Sequence, residues 1–151
     1  MPHAALPELL HVADLKVSVA PAIEVTASRR VIGIAGGEVR GARLNGVVLP
    51  GGADFQVIRP DGVIALTARY VIRVDSGALI YVENSGLRHG SPDVMERLRR
   101  GESVDPSLVY FRTAPRFETS APEYEWLTRH IFVGTAARLP DSVAISFYQL
   151  L

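Results

Sequence analysis

The chain has 151 residues, 16 Lys+Arg against 16 Asp+Glu, four histidines and no cysteine. Zero formal net charge supplies no global field toward nucleic acid or an anionic membrane, and the missing thiols exclude disulfide frameworks, thiolate zinc sites, iron–sulfur clusters and cysteine nucleophiles. No apolar run nears the ~18 residues of a membrane span, and Met1-Pro2-His3-Ala4-Ala5 lacks a signal-peptide pattern. The expectation is a soluble, cytoplasmic protein with a loose tail over residues 1–8 and one domain over 9–151. Fifteen of the basic residues are Arg and only Lys16 is lysine. Arg favours bidentate anion recognition, and a coding bias in a GC-rich genome gives the same ratio.

In chain order, β-prone runs occupy His11–Ala20, Ile23–Thr26, Arg30–Ala35, Glu38–Leu49 and Phe55–Arg59. Gly36-Gly37 and Gly51-Gly52 break them at two corresponding places. Val63–Asp75 alternates strictly, with Ile64, Leu66, Ala68, Tyr70, Ile72 and Val74 on its apolar face. Ser76-Gly77 reads as a two-residue hairpin turn leading into Ala78–Asn84. That loop length sets Arg69 opposite Asn84 and Tyr70 opposite Glu83, as hydrogen-bonding neighbours.

Ser91-Pro92-Asp93 opens a helix with an N-cap, Pro at the first position and an early acid, and Gly101 closes it. Strands follow at Leu108–Thr113, Arg129–Thr135 and Ser142–Leu151, with a short helix at Pro122–Leu127. So many short strands with regular turn signals argue for an antiparallel barrel or sandwich.

Motif chemistry is mostly excluded. Neither Gly-rich stretch precedes Lys-Ser/Thr or a helix, so neither is a phosphate loop. His3, His11, His89 and His130 have no metal-ligand spacing, and no Gly-x-Ser-x-Gly elbow exists. The expectation is no metal and no cofactor. Arg97, Arg99 and Arg100 complement their helix dipole and lack interleaved aromatics, which argues against nucleic-acid binding.

The remaining constellation is polar and strand-borne. Asp54 and Glu118 are candidate general bases if burial raises their pKa, and Arg69 and Arg112 candidate carboxylate or oxyanion partners. Tyr81, Asn84, Tyr110, Tyr124 and Trp126 are candidate ligand-binding groups for a lumen that orients a mostly apolar molecule. The competing reading is that these ion pairs brace turns and strand ends.

Leu49-Pro50-Gly51-Gly52-Ala53-Asp54-Phe55, Asp61-Gly62, Ala68-Arg69-Tyr70 and Gly77-Ala78-Leu79-Ile80-Tyr81-Val82 form one linked pattern. With Tyr110-Phe111-Arg112-Thr113, Arg116-Phe117-Glu118 and Tyr124-Glu125-Trp126-Leu127, it resembles the uncharacterised family called domain of unknown function 3237. The resemblance runs from about Val12 to Leu151 and implies a small antiparallel β-barrel, calycin-like or allene-oxide-cyclase-like, that forms a homo-oligomer. It places the family's polar positions at Asp54, Arg69, Asn84, Arg112, Glu118 and Trp126, and implies no activity. Two functions follow as expectations. One is a barrel binding a small organic acid or apolar metabolite, with cofactor-independent isomerase, cyclase or lyase chemistry. The other is a non-catalytic oligomerisation module.

Overall fold

A computed structural model describes all 151 residues. Its strands are β1 (Leu9–Val19), β2 (Ile23–Thr26), β3 (Arg29–Arg40), β4 (Gly46–Val48), β5 (Ala53–Ile58), β6 (Ile64–Val74), β7 (Leu79–Gly90), β8 (Val109–Glu118), β9 (Phe132–Arg138) and β10 (Ser142–Leu150). The one α-helix, α1, spans Pro92–Arg99, and 3-10 segments span Pro106–Leu108 and Pro122–Thr128. Residues 1–8 carry no regular structure and are exposed. No helix is long and apolar enough to cross a membrane.

The strands close an antiparallel barrel of eight positions. Around it run β1, β10, β9, β8, β7 and β6, then β4 and β5 sharing one position against β3, which pairs back to β1. Closure gives each wall strand a partner on both sides, while β2 pairs only with β3 and keeps a free edge. Pro50-Gly51-Gly52 separates β4 from β5 as the composition predicts. Gly36-Gly37 does not interrupt β3, which runs through both while β1 shifts register between Ser18 and Val19. A bulge absorbs the irregularity that the sequence reads as a break.

The alternation of β6 is the alternation of the wall, with Ile64, Leu66, Tyr70, Ile72 and Val74 buried inside. The register of the β6–β7 hairpin differs from the sequence expectation by one residue. Arg69 faces Glu83, Ala68 faces Asn84 and Tyr70 faces Val82. The loop holds three residues, Asp75-Ser76-Gly77: Gly77 N–H bonds Val74 O at 2.8 Å and Val74 N–H bonds Ala78 O at 2.9 Å. Gly77 takes φ +96°, the left-handed residue that follows a type I turn in a three-residue hairpin loop.

Strand β7 also runs six residues beyond its expected end. Ser85-Gly86 lies mid-strand, and a Cβ on Gly86 would lie 2.4 Å from the Arg112 carbonyl of β8. That close approach, not a turn, explains the glycine.

One end of the barrel is plugged. Phe117 packs edge-on against Phe132 and Phe147 at centroid distances of 5.1 and 5.6 Å. Edge-to-face pairs add about 0.5–1.5 kcal/mol beyond area burial. The 3-10 segment Pro122–Thr128 buries Leu127 against this cluster. Arg43 lies 3.7 Å over the Trp126 ring and donates to Gln149 Oε1 at 2.7 Å.

At the other end, α1 follows β7 directly. Ser91 Oγ accepts from Val94 N–H at 3.3 Å, as its cap pattern predicts. The wall is uneven: β6 and β7 pair over ten positions, whereas β8 and β9 pair only at Arg112↔Thr135 and Thr113↔Gly134.

Candidate functional site

The apolar plug fills only part of the lumen. Beyond it the inward positions turn polar: Asp54 and Gln56 on β5, Tyr70 on β6, Asn84 and Arg88 on β7, and Thr113 on β8. Asp54, Tyr70, Asn84 and Thr113 line an internal cavity of about 40 Å³. Its remaining lining is apolar and includes Val17, Ile34, Leu66 and Phe111. The small inward residues Ala68 and Ala136 keep the space open.

Polar atoms in this chamber are incompletely paired within the protein. Gln56 Nε2 donates to Asp54 Oδ2 at 2.7 Å. Asp54 Oδ1, Tyr70 Oη, Asn84 Oδ1 and Thr113 Oγ1 are buried without a protein hydrogen-bond partner. A buried polar atom left unpaired costs about 1–3 kcal/mol, so four around one cavity set this chamber apart from the apolar plug.

Toward α1 the chamber adjoins a wider mouth of about 490 Å³. Ile32 and Ile64 line the mouth, while Ile34 and Leu66, two residues along the same strand faces, line the chamber. Arg30, Arg88 and Arg138 line the mouth from β3, β7 and β9, and Met95 and Leu98 of α1 cover it. Arg88 sits 5.4 Å over the ring of Phe111, which lines the chamber.

Burial pushes the Asp54 carboxyl above the usual carboxylate range. The Gln56 bond and the charges of Arg88, Arg30 and Arg138 offset this only in part. Burial, helped by the Asp54 charge, also raises the Tyr70 phenol. Burial lowers Arg30 and Arg138 and pushes Arg88 down to about 10, with repulsion from Arg30 adding to the Arg88 shift.

The Asp54 shift fixes the sign of a pH effect. Above the unfolded value of 3.8, the folded state holds a proton that the unfolded chain has lost. Stability therefore falls as pH rises toward the elevated folded value and stays lowered above it. Asparagine mimics the protonated form and escapes this fall. Asp54→Asn is expected to melt higher than the parent at pH 7, with the gap closing toward pH 4. A gap that is constant with pH would contradict the assignment, and melting curves across that range provide the check.

The candidate residues from the sequence do not converge on one lumen. Asp54 and Asn84 face the chamber. Odd-numbered residues of β6 and even-numbered residues of β8 point outward, and this places Arg69, Tyr110, Arg112 and Glu118 on the outer wall. There Arg69 Nε lies 3.7 Å from Glu83 Oε2, and its guanidinium 5.6 Å over the Phe55 ring. Arg112 donates to Phe111 O at 2.9 Å, and Tyr110 stacks on His89 at 4.9 Å.

Tyr81 is half-buried on the outward face of β7, opposite Glu118. Tyr124 and Trp126 pack against the plug, at the opposite end from the mouth. Sequence reasoning missed Arg30, Arg88, Arg138, Gln56, Tyr70 and Thr113. The available signal was parity, because Arg30 falls in step with Ile32 and Ile34, and Arg88 with Ile80 and Val82. No group of three or more His, Cys, Asp or Glu comes together as metal ligands.

The family model for a protein of unknown function, DUF3237, matches residues 7–150. The chain belongs to the DUF3237 family. This DUF3237 protein is 53% identical over 126 residues to a UPF0311 protein of Rhodopseudomonas palustris strain TIE-1, covering 83% of this chain and 82% of that one. Its fold is similar to the crystal structure of a conserved protein of unknown function, RPA1785, from Rhodopseudomonas palustris. The TM-score is 0.95 at 46% identity, covering 99% of this chain and 100% of that one. A beta-barrel like protein from Acinetobacter baumannii matches with TM-score 0.86 at 38% identity, covering 100% of both chains. These likenesses establish the DUF3237 family and its barrel, and bring no reaction with them.

Proposed function

We propose that this DUF3237 barrel binds a small organic acid or apolar metabolite in its lumen and moves a proton on it without a cofactor, as an isomerase, cyclase or lyase does. The observation that carries this reading is Asp54. Its carboxyl is raised by burial, and its Oδ1 is unpartnered in a chamber that is otherwise mostly apolar. A carboxyl displaced toward neutrality is suited to both accepting and returning a proton. Asn84 and Tyr70 line the same chamber, and in this reading they hold a substrate oxygen.

Arg69, Arg112, Glu118, Tyr81 and Tyr110 have no part in this lumen chemistry. They belong to a second reading, in which the outer wall assembles copies of the chain. Exposed Leu9, Leu87 and Tyr110 border one outer groove with Arg112 and favour it. A cytoplasmic setting belongs to the same proposal, supported by the absence of cysteine.

The test is a thermal-shift screen against small acids, ketones and hydrocarbons, followed by proton exchange of each hit in D2O. A ligand at 100 times its dissociation constant adds about 2.7 kcal/mol of stability. The expected result is a hit whose carbon-bound proton exchanges with the parent protein and not with Asp54→Asn. A flat screen, or exchange that Asp54→Asn leaves unchanged, overturns the catalytic reading.

A further inference from the structure

The mouth contains more positive charge than any carboxylate there neutralises. Arg88 is 5% exposed and Arg30 8% exposed, and the Nε of each is buried without a hydrogen-bond partner. Arg138 Nη1 is committed to the Leu139 and Ser142 carbonyls of the β9–β10 turn, which fixes its stem at the rim. None of the three takes part in an ion pair.

The nearby acids are engaged or peripheral. Glu96 of α1 also lines the mouth, but Arg99 binds it in a two-point contact at 2.7 and 2.8 Å. Glu102 is taken by Arg100 at 2.8 Å. Glu24 and Asp141 act on Arg30 and Arg138 only at a distance. Asp54, deeper in, is the one carboxylate whose charge reaches all three.

Buried charges are normally paired, because an unpaired one bears the whole desolvation cost. Three guanidiniums converging from three separate strands therefore mark the seat of an anion. The fork of a guanidinium matches a carboxylate in a planar, two-point contact. We infer that Arg30, Arg88 and Arg138 seat the carboxylate of the ligand at the mouth, so that the substrate class is an organic carboxylate whose apolar body points past Phe111 toward Asp54. This inference rests on the lumen being the ligand site and adds the class of ligand and its direction of entry. The Phe111 ring beneath Arg88 is the step between charged mouth and apolar chamber.

The experiment is calorimetric titration of the full chain at low ionic strength with formate, butyrate, hexanoate and benzoate. Butyramide, hexanamide and benzamide serve as neutral counterparts, and inorganic phosphate as the competing anion. The carboxylates are expected to bind at least about tenfold more tightly than their amides, and more tightly than phosphate. Arg88→Met and Arg30→Met, each first shown by melting to be folded, should lose about tenfold for carboxylates and less than about twofold for amides. Arg73→Met, on the outer wall, should change neither.

Equal affinity for acids and amides, preference for phosphate, or carboxylate binding untouched in both mouth variants overturns the carboxylate seat while lumen binding stands. If no probe binds, charged or neutral, the lumen reading falls as well.

Discussion

Phe147→Ala is expected to cost the barrel about 3–5 kcal/mol, the range for removing a large aromatic side chain from a packed core. Phe147 is 0% exposed and meets Phe117 edge-on within the plug. Its ring lies beside Gly134, where even a built Cβ would come within 3.4 Å of Cδ1. Gly134 has no side chain to swing into the gap, and Phe117 is already held by Phe132. The site therefore cannot collapse cheaply, which puts the loss in the upper part of that range. Domains have only about 5–15 kcal/mol in total, so this variant should be marginal at 37 °C. Urea unfolding gives the measurement. A midpoint shift worth under about 1 kcal/mol would show that the three phenylalanines are not the structural centre.

Arg88→Met is expected to raise stability instead. Arg88 remains protonated at pH 7, and burial pulls its pKa down to about 10, so holding its charge inside the fold is costly. Methionine keeps an apolar stem and removes the charge that sits over the Phe111 ring. A gain of about 1–3 kcal/mol follows, or several degrees in Tm for a chain of this length. The same variant should lose the carboxylate affinity described above. Stability and binding moving in opposite directions is the signature of a charge retained for its ligand. A destabilised Arg88→Met would show that the guanidinium is satisfied within the fold and would remove the reason to seat an anion there.

The barrel was legible because alternation in Val63–Asp75 is a property of the chain itself, and those even-numbered residues do line the lumen. The α1 cap was legible for the same reason: Ser91, Pro92 and Gly101 act locally. The hairpin register was not, since Asp75-Ser76-Gly77 differs from a two-residue turn only in where the hydrogen bonds close. Of the polar groups that line the lumen, Asp54 and Asn84 were legible and the arginines of the mouth were not. Period two says that Arg69 and Arg112 share faces with their neighbours, but not which face looks inward. The inward face of β8 is set by Phe111 and Phe117, one residue out of step with Arg112. Arg30, Arg88 and Arg138 are far apart in sequence and meet only because β3, β7 and β9 close into one ring.

The thin pairing between β8 and β9 bears on the girth of that ring. A closed wall can widen only where neighbouring strands part, and elsewhere parting means breaking long ladders such as the ten matched positions of β6 and β7. At β8–β9 two residue pairs hold the circumference, and Thr113, one of the four, lines the chamber. This seam is where the ring is least held by backbone pairing. Parting it would also pull Phe117 of β8 away from Phe132 of β9, so the seam and the aromatic plug set the girth together.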